Sequence, residues 1–264
     1  MKKKSKLIIA IVCIAVILLL VVASRFLPQK DEAELPEEIV ETTEETTEAE
    51  PETEEEPEET TEPEETGPQI LEVLQEPYAE NSDLAGWIQI PDTMINYPVM
   101  YTPDDGEKYI YADFEGNFDV GGLPFIEDGC SLDPESDNLI IYGHNMKNGS
   151  MFADLMKYTD RSFWEAHPTI HFATLYEART YEIIAAFYDR VYYKSEDCFK
   201  FYQFIDAETE EDFNEAMTYY QENSLYDTGV TATYGDNLIT LVTCSYHVEN
   251  GRFVVVAREA PTDG

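Results

Sequence analysis

Positive charge is what this chain has least of: 16 lysines and arginines stand against 55 aspartates and glutamates, a formal net charge of −39 at pH 7. Affinity for phosphate backbones comes from clustered Lys and Arg, so nucleic-acid binding is disfavoured. Histidine is sparse too, with 4 in 264 residues. No CxxC, HExxH or histidine-rich pattern occurs, so nothing marks a zinc site and no cofactor is expected. Cysteine is confined to Cys13, Cys130, Cys198 and Cys244, which is no disulfide framework, and a domain running from residue 69 to 264 builds a core without staples. No internal repeat is present. These scarcities narrow the search for chemistry to a few side chains.

Composition divides the chain into four stretches. Residues 1–6 hold four lysines and residues 7–23 hold no charge over 17 positions. That length is at the lower limit for a membrane-spanning helix, and it exceeds the roughly 7 to 15 apolar residues of a signal-peptide core. An uncleaved anchor over residues 7–27 is therefore favoured over a cleaved signal peptide, with the lysine-rich terminus in the cytoplasm. Residues 28–68 are Glu, Thr and Pro with 19 acids and one lysine. Such a segment lacks the apolar surface to repay ordering entropy and is expected to be a disordered spacer. The folded domain is residues 69–264, itself acidic with 36 acids against 10 bases.

Within that domain, β-branched and aromatic enrichment predicts strands at 86–90, 94–100, 123–127, 138–142, 169–174, 179–191, 237–246 and 252–258. Helices are predicted at 69–81, 150–158, 162–166 and 207–223. The last carries Phe213, Ala216, Met217 and Tyr220 at i, i+3, i+4 and i+7, an apolar stripe for packing. Eight strands with short helices in one domain point to a closed barrel, mostly β with peripheral helices in the α+β class.

Three side chains stand out on this scaffold. Cys244 ends the apolar run 238–244, and Arg252 opens a second such run eight residues later. A tight return between antiparallel neighbours would bring thiol and guanidinium to one end of the pair. His144 follows the strand at 138–142 in a Gly143-His144-Asn145 break, the kind of scaffold-held loop position where catalytic residues concentrate. His167 and His171 flank Pro168, which disfavours the helix needed to align them as ligands, so both are read as structural. A lone thiol is more often a small buried apolar group than a nucleophile, and it is the company of His144 and Arg252 that changes the balance.

YGHN after one strand, TLVTC ending another and GRFVVVA soon after resemble the sortases, cysteine transpeptidases of Gram-positive cell surfaces. The INYPVM segment at 95–100, the GLPFIE segment at 122–127 and the long insertion before the cysteine strand resemble the class B branch. The resemblance spans roughly residues 69–259. It implies an eight-stranded sortase-type β-barrel with an N-terminal helix and a long helix inserted before the cysteine strand. It implies Cys244 as the nucleophile that forms a thioacyl-enzyme, His144 as general acid and base, and Arg252 as holder of the substrate carbonyl and its oxyanion. Asn96 and Tyr97 fall where class B sortases have substrate-pocket residues. Thr243, Ser245, Tyr188 and Tyr192 are further substrate-binding candidates.

The partners implied are surface proteins bearing a sorting signal and a lipid-linked peptidoglycan precursor that offers an amine. The localisation implied is the cell membrane, single-pass through the N-terminal helix, with the catalytic domain extracellular. Two other readings stay open at the level of sequence: a secreted cysteine peptidase with water as acceptor, and a non-catalytic surface-binding module.

Overall fold

Runs of β-branched and aromatic residues build eight strands in the computed structural model, which describes residues 68–261. They are β1 Leu84–Gln89, β2 Asn96–Met100, β3 Phe125–Ile126, β4 Asn138–Tyr142, β5 Thr169–Thr174, β6 Ala178–Arg190, β7 Leu238–Cys244 and β8 Gly251–Glu259. They close into a barrel in the order β1-β2-β3-β4-β7-β8-β6-β5. The expected eight-stranded barrel is thus present. Its pairs are antiparallel except β2 with β3 and β4 with β7, which run parallel. Closure leaves no open sheet edge.

Among the described residues three α-helices accompany the barrel: α1 Glu72–Glu80, α2 Arg161–Ala166 and α3 Glu210–Asn223. Helix α3 starts at Thr209 with a reciprocal capping box to Asp212, and acids fill its first turn where the helix dipole favours them. Its stripe of Phe213, Ala216, Met217 and Tyr220 is buried as expected, and the helix packs on β6. The stretch read as helix at 150–158 is a 3-10 helix, Phe152–Thr159, lying against β6, β7 and β8. Its Phe152, Leu155 and Tyr158 are fully buried. Because the barrel is filled within and covered without, Val254, Val255, Val256 and Ala257 of β8 are all buried, where an alternating pattern would mark a one-sided sheet.

The expectation of a single-pass membrane protein, with an outward-facing catalytic domain, is corrected here. Among the described residues no helix is long and apolar enough to cross a membrane. The longest, α3, has 14 residues and opens with three acids, where a span needs about 20 apolar ones. The stretches read as cytoplasmic terminus (1–6), anchor (7–27) and acidic spacer (28–68) lie outside the described residues, apart from Pro68.

Candidate active site

Cys244 is the last residue of β7, and β8 returns from a short connection so that its paired residue is Arg252. The two side chains therefore stand side by side on one face of the sheet, as directly opposed residues of antiparallel strands do. On the other flank of β7, β4 runs parallel in the register Ile141 with Leu241 and Tyr142 with Val242. Carried two residues on, that register sets His144 beside Cys244. Three bonds hold the extension: Gly143 N donates to Val242 O at 3.0 Å, Thr243 Oγ1 to Gly143 O at 2.7 Å and Asn145 Nδ2 to Cys244 O at 2.9 Å. The thiol is partly exposed, unlike the buried Cys130, and all three described cysteines are free.

Gly143 has a packing reason to be glycine. A Cβ there would lie 2.5 Å from Cγ of the buried Phe152. Gly143→Ala is expected to cost about 1–3 kcal/mol through overpacking, read by urea unfolding, with turnover falling as His144 is pushed from its register.

Arg252 is distinguished by what it does not do. Arg161, Arg179, Arg190 and Arg258 each pair with a carboxylate, whereas Arg252 has no ion pair among the described residues. Its Nη1 donates to the carbonyls of Gly251 and Asn250 at 3.0 and 3.3 Å, which steadies the fork without neutralising it. Its strand partner on the far side is Asp189 of β6. That buried carboxylate is taken up elsewhere: Oδ2 accepts from Tyr219 of α3 at 2.8 Å and Oδ1 from Arg190 N at 2.7 Å. A free guanidinium in so acidic a domain is a positive charge held ready for another anion.

Tyr142, at the end of β4, is half-buried and feels the charge of Arg252. Its hydroxyl hydrogen-bonds Glu127. Burial pushes Glu127 up to about 7, the neighbouring Asp128 adds to the rise, and the Tyr142 hydroxyl opposes it. A carboxyl raised on folding binds a proton that the unfolded chain has released, so its contribution favours the folded state at low pH and is lost as pH rises through about 7. Glu127→Gln is expected to add about 1 kcal/mol at pH 8, a figure discounted for the group's partial exposure, and to flatten the decline above pH 4.5. Denaturant titrations at a series of pH values measure it. Cys130, by contrast, is buried, donates to Asn138 O at 3.6 Å and is pushed up to about 12 by burial; it is a core thiol.

The softer candidates divide. Ser245 is buried, and its Oγ bonds His247 Nδ1 at 2.9 Å; the His247 ring in turn meets Tyr188 at 4.7 Å. Tyr188 is paired with Phe253 and Ser245 follows Cys244, so by strand alternation both point away from the face that carries Cys244 and Arg252. Thr243 is buried and bonded to Gly143 O, a structural duty. Asn96 Oδ1 accepts from Trp87 Nε1 at 2.8 Å, and the Tyr97 hydroxyl accepts from Met151 N at 3.0 Å, bracing the segment after His144. Tyr192 belongs to a network with Tyr219 and Asp189. His167 Nδ1 lies 3.0 Å from Pro91 O and His171 Nδ1 lies 3.2 Å from Thr180 Oγ1.

Residues that sequence reasoning missed are Asn145, Asp189, Tyr142 and Glu127. Asp189 had a signal, being the one carboxylate after the apolar run Ile183 to Tyr188, but its opposition to Arg252 depends on a register that only pairing shows.

A thiol, an imidazole and a free guanidinium on adjoining strand ends are the equipment of cysteine-dependent acyl transfer. A family model described as a sortase domain matches residues 88–260, and the chain belongs to the sortase family, in its class B branch. Sortase B of Listeria monocytogenes is 34% identical over 191 residues, 71% of this chain and 74% of that one. A Staphylococcus aureus sortase B–substrate complex superposes with a TM-score of 0.65 at 26% identity, over 74% of this chain and 88% of the other. A sortase B complexed with triglycine superposes at 0.66 with 26% identity, over 74% and 89%. The protein is accordingly a cysteine transpeptidase.

Proposed function

We propose that Cys244, His144 and Arg252 cleave a C-terminal sorting motif of surface proteins and transfer the acyl group to an amine of peptidoglycan precursor. The observation that carries this reading is Arg252, without an ion pair among the described residues, directly opposite Cys244. Cys244 as thiolate attacks the scissile carbonyl, and the oxyanion that forms is met by the planar fork of Arg252. As the C–N bond breaks, the leaving amine takes a proton from His144 and a thioester remains on Cys244. An incoming amine attacks the thioester and gives its proton to His144, and the C–S bond breaks to restore the thiolate.

The substrate and triglycine complexes of related sortases B support both halves of the reaction by likeness. The test is product analysis by mass spectrometry after incubation with a labelled peptide library, with and without triglycine. Transpeptidation is expected to yield a peptide joined to triglycine at the cleaved carbonyl. Hydrolysed acid as the sole product in both arms would favour a peptidase instead.

A further inference from the structure

His144 stands two residues beyond the end of β4, where the strand ladder no longer holds its ring. The connection between β2 and β3 supplies the grip. His144 Nε2 lies 2.8 Å from the Ile110 carbonyl oxygen; a carbonyl only accepts, so Nε2 carries the hydrogen. The Tyr111 ring stacks on the imidazole, centroids 5.6 Å apart at 30°, and Phe118 continues the stack at 6.3 Å. Tyr111 is 54% and Phe118 79% exposed, so this packing contributes little to the core and serves the histidine.

Behind the Ile110 carbonyl lies Gly122, in the GLPFIE segment. Its φ is +54°, and a Cβ there would collide with the carbonyl groups of both Tyr109 and Ile110. Only glycine lets the chain turn this close behind the oxygen that His144 uses. Hydrogen bonds from Gly122 N to Asp119 O at 3.2 Å and from Leu123 N to Tyr109 O at 3.0 Å pin the turn.

We infer that Ile110, Tyr111 and Gly122 are positioning residues for His144: with Nε2–H held by the Ile110 carbonyl, Nδ1 is the nitrogen that exchanges the proton. This rests on the acid–base reading of His144. Nδ1–H gives its proton to the leaving nitrogen as that atom takes the C–N electron pair, and the incoming amine returns a proton to Nδ1 as its nitrogen bonds the carbonyl carbon. The hydrogen bond made by one ring nitrogen sets the role of the other.

The first measurement is the His144 tautomer in the full chain labelled with 15N-histidine, read from two-bond nitrogen–carbon-bound-proton correlations and assigned by loss of its signals in His144→Ala. The neutral ring is expected as Nε2–H; an Nδ1–H ring in the wild type overturns the inference. In turnover, Tyr111→Ala is expected to lower kcat by about 10- to 100-fold with KM little changed, and to move the pH profile. Tyr111→Phe should recover most of that loss, since it keeps the ring. Gly122→Ala should shift the tautomer balance toward Nδ1–H; should it fail to fold, the Tyr111 pair and the wild-type tautomer still decide. A folded Tyr111→Ala with wild-type kcat and pH profile would overturn the inference. Turnover surviving in His144→Ala would instead remove the acid–base reading, and the tautomer would still judge the positioning.

Discussion

Cys244→Ala is expected to lower cleavage of a sorting-signal peptide by on the order of 10⁴-fold or more, the scale on which loss of a covalent nucleophile is felt. The fold should not notice. Cys244 is partly exposed at the end of β7, and the bond that Asn145 makes there is to its backbone carbonyl, which alanine keeps. The variant should therefore unfold with the wild type while forming no thioacyl adduct. The converse holds for Cys130, whose buried thiol is pushed up by burial and takes no part in the chemistry. Alkylation with a small electrophile should mark Cys244 in the folded protein and leave Cys130 intact until denaturant is added. Exposed Cys198 will also react, so labelling is read site by site.

Arg252→Ala is expected to cost about 10²- to 10³-fold in kcat, roughly 3 to 4 kcal/mol of transition-state stabilisation, as loss of an oxyanion donor does. Arg252→Lys should recover little of it, because an ammonium lacks the planar fork that Arg252 rests on the carbonyls of Gly251 and Asn250. The free charge also depends on Asp189 staying engaged with Tyr219. Tyr219→Phe would remove one of the donors that occupy that carboxylate beside Arg252 and should lower kcat in the same direction by a smaller factor. Steady-state kinetics on the four proteins, wild type included, orders these effects.

Much of this site was legible in the chain because β7 and β8 are near in sequence. An apolar run ending in Cys244 and another opening at Arg252 leave a short connection, and antiparallel return then forces the two together. The stripe of α3 was legible for the same local reason, since helical periodicity is written in consecutive residues. The candidacy of His144 rested on its strand-end loop position and on motif resemblance, while its placement beside Cys244 depends on β4 lying parallel to a strand a hundred residues away. No local pattern encodes that register. Asn96 shows the same limit: the bond its side chain accepts from Trp87 across the β1–β2 ladder is written in no local pattern. The grip of Ile110 and Tyr111 on His144 was illegible because a long connection, braced by Gly122, delivers it.

The central claim, that Cys244 carries the acyl group from a sorting signal to an amine, is tested most directly by intact-mass spectrometry of the protein during turnover. With a peptide selected by the wild-type enzyme from a library, a thioester adduct of the amino-terminal fragment should appear on Cys244. It should vanish on addition of triglycine as the peptide–triglycine product forms in equal amount. An adduct on any other residue, or product formation undiminished in Cys244→Ala, would contradict the account.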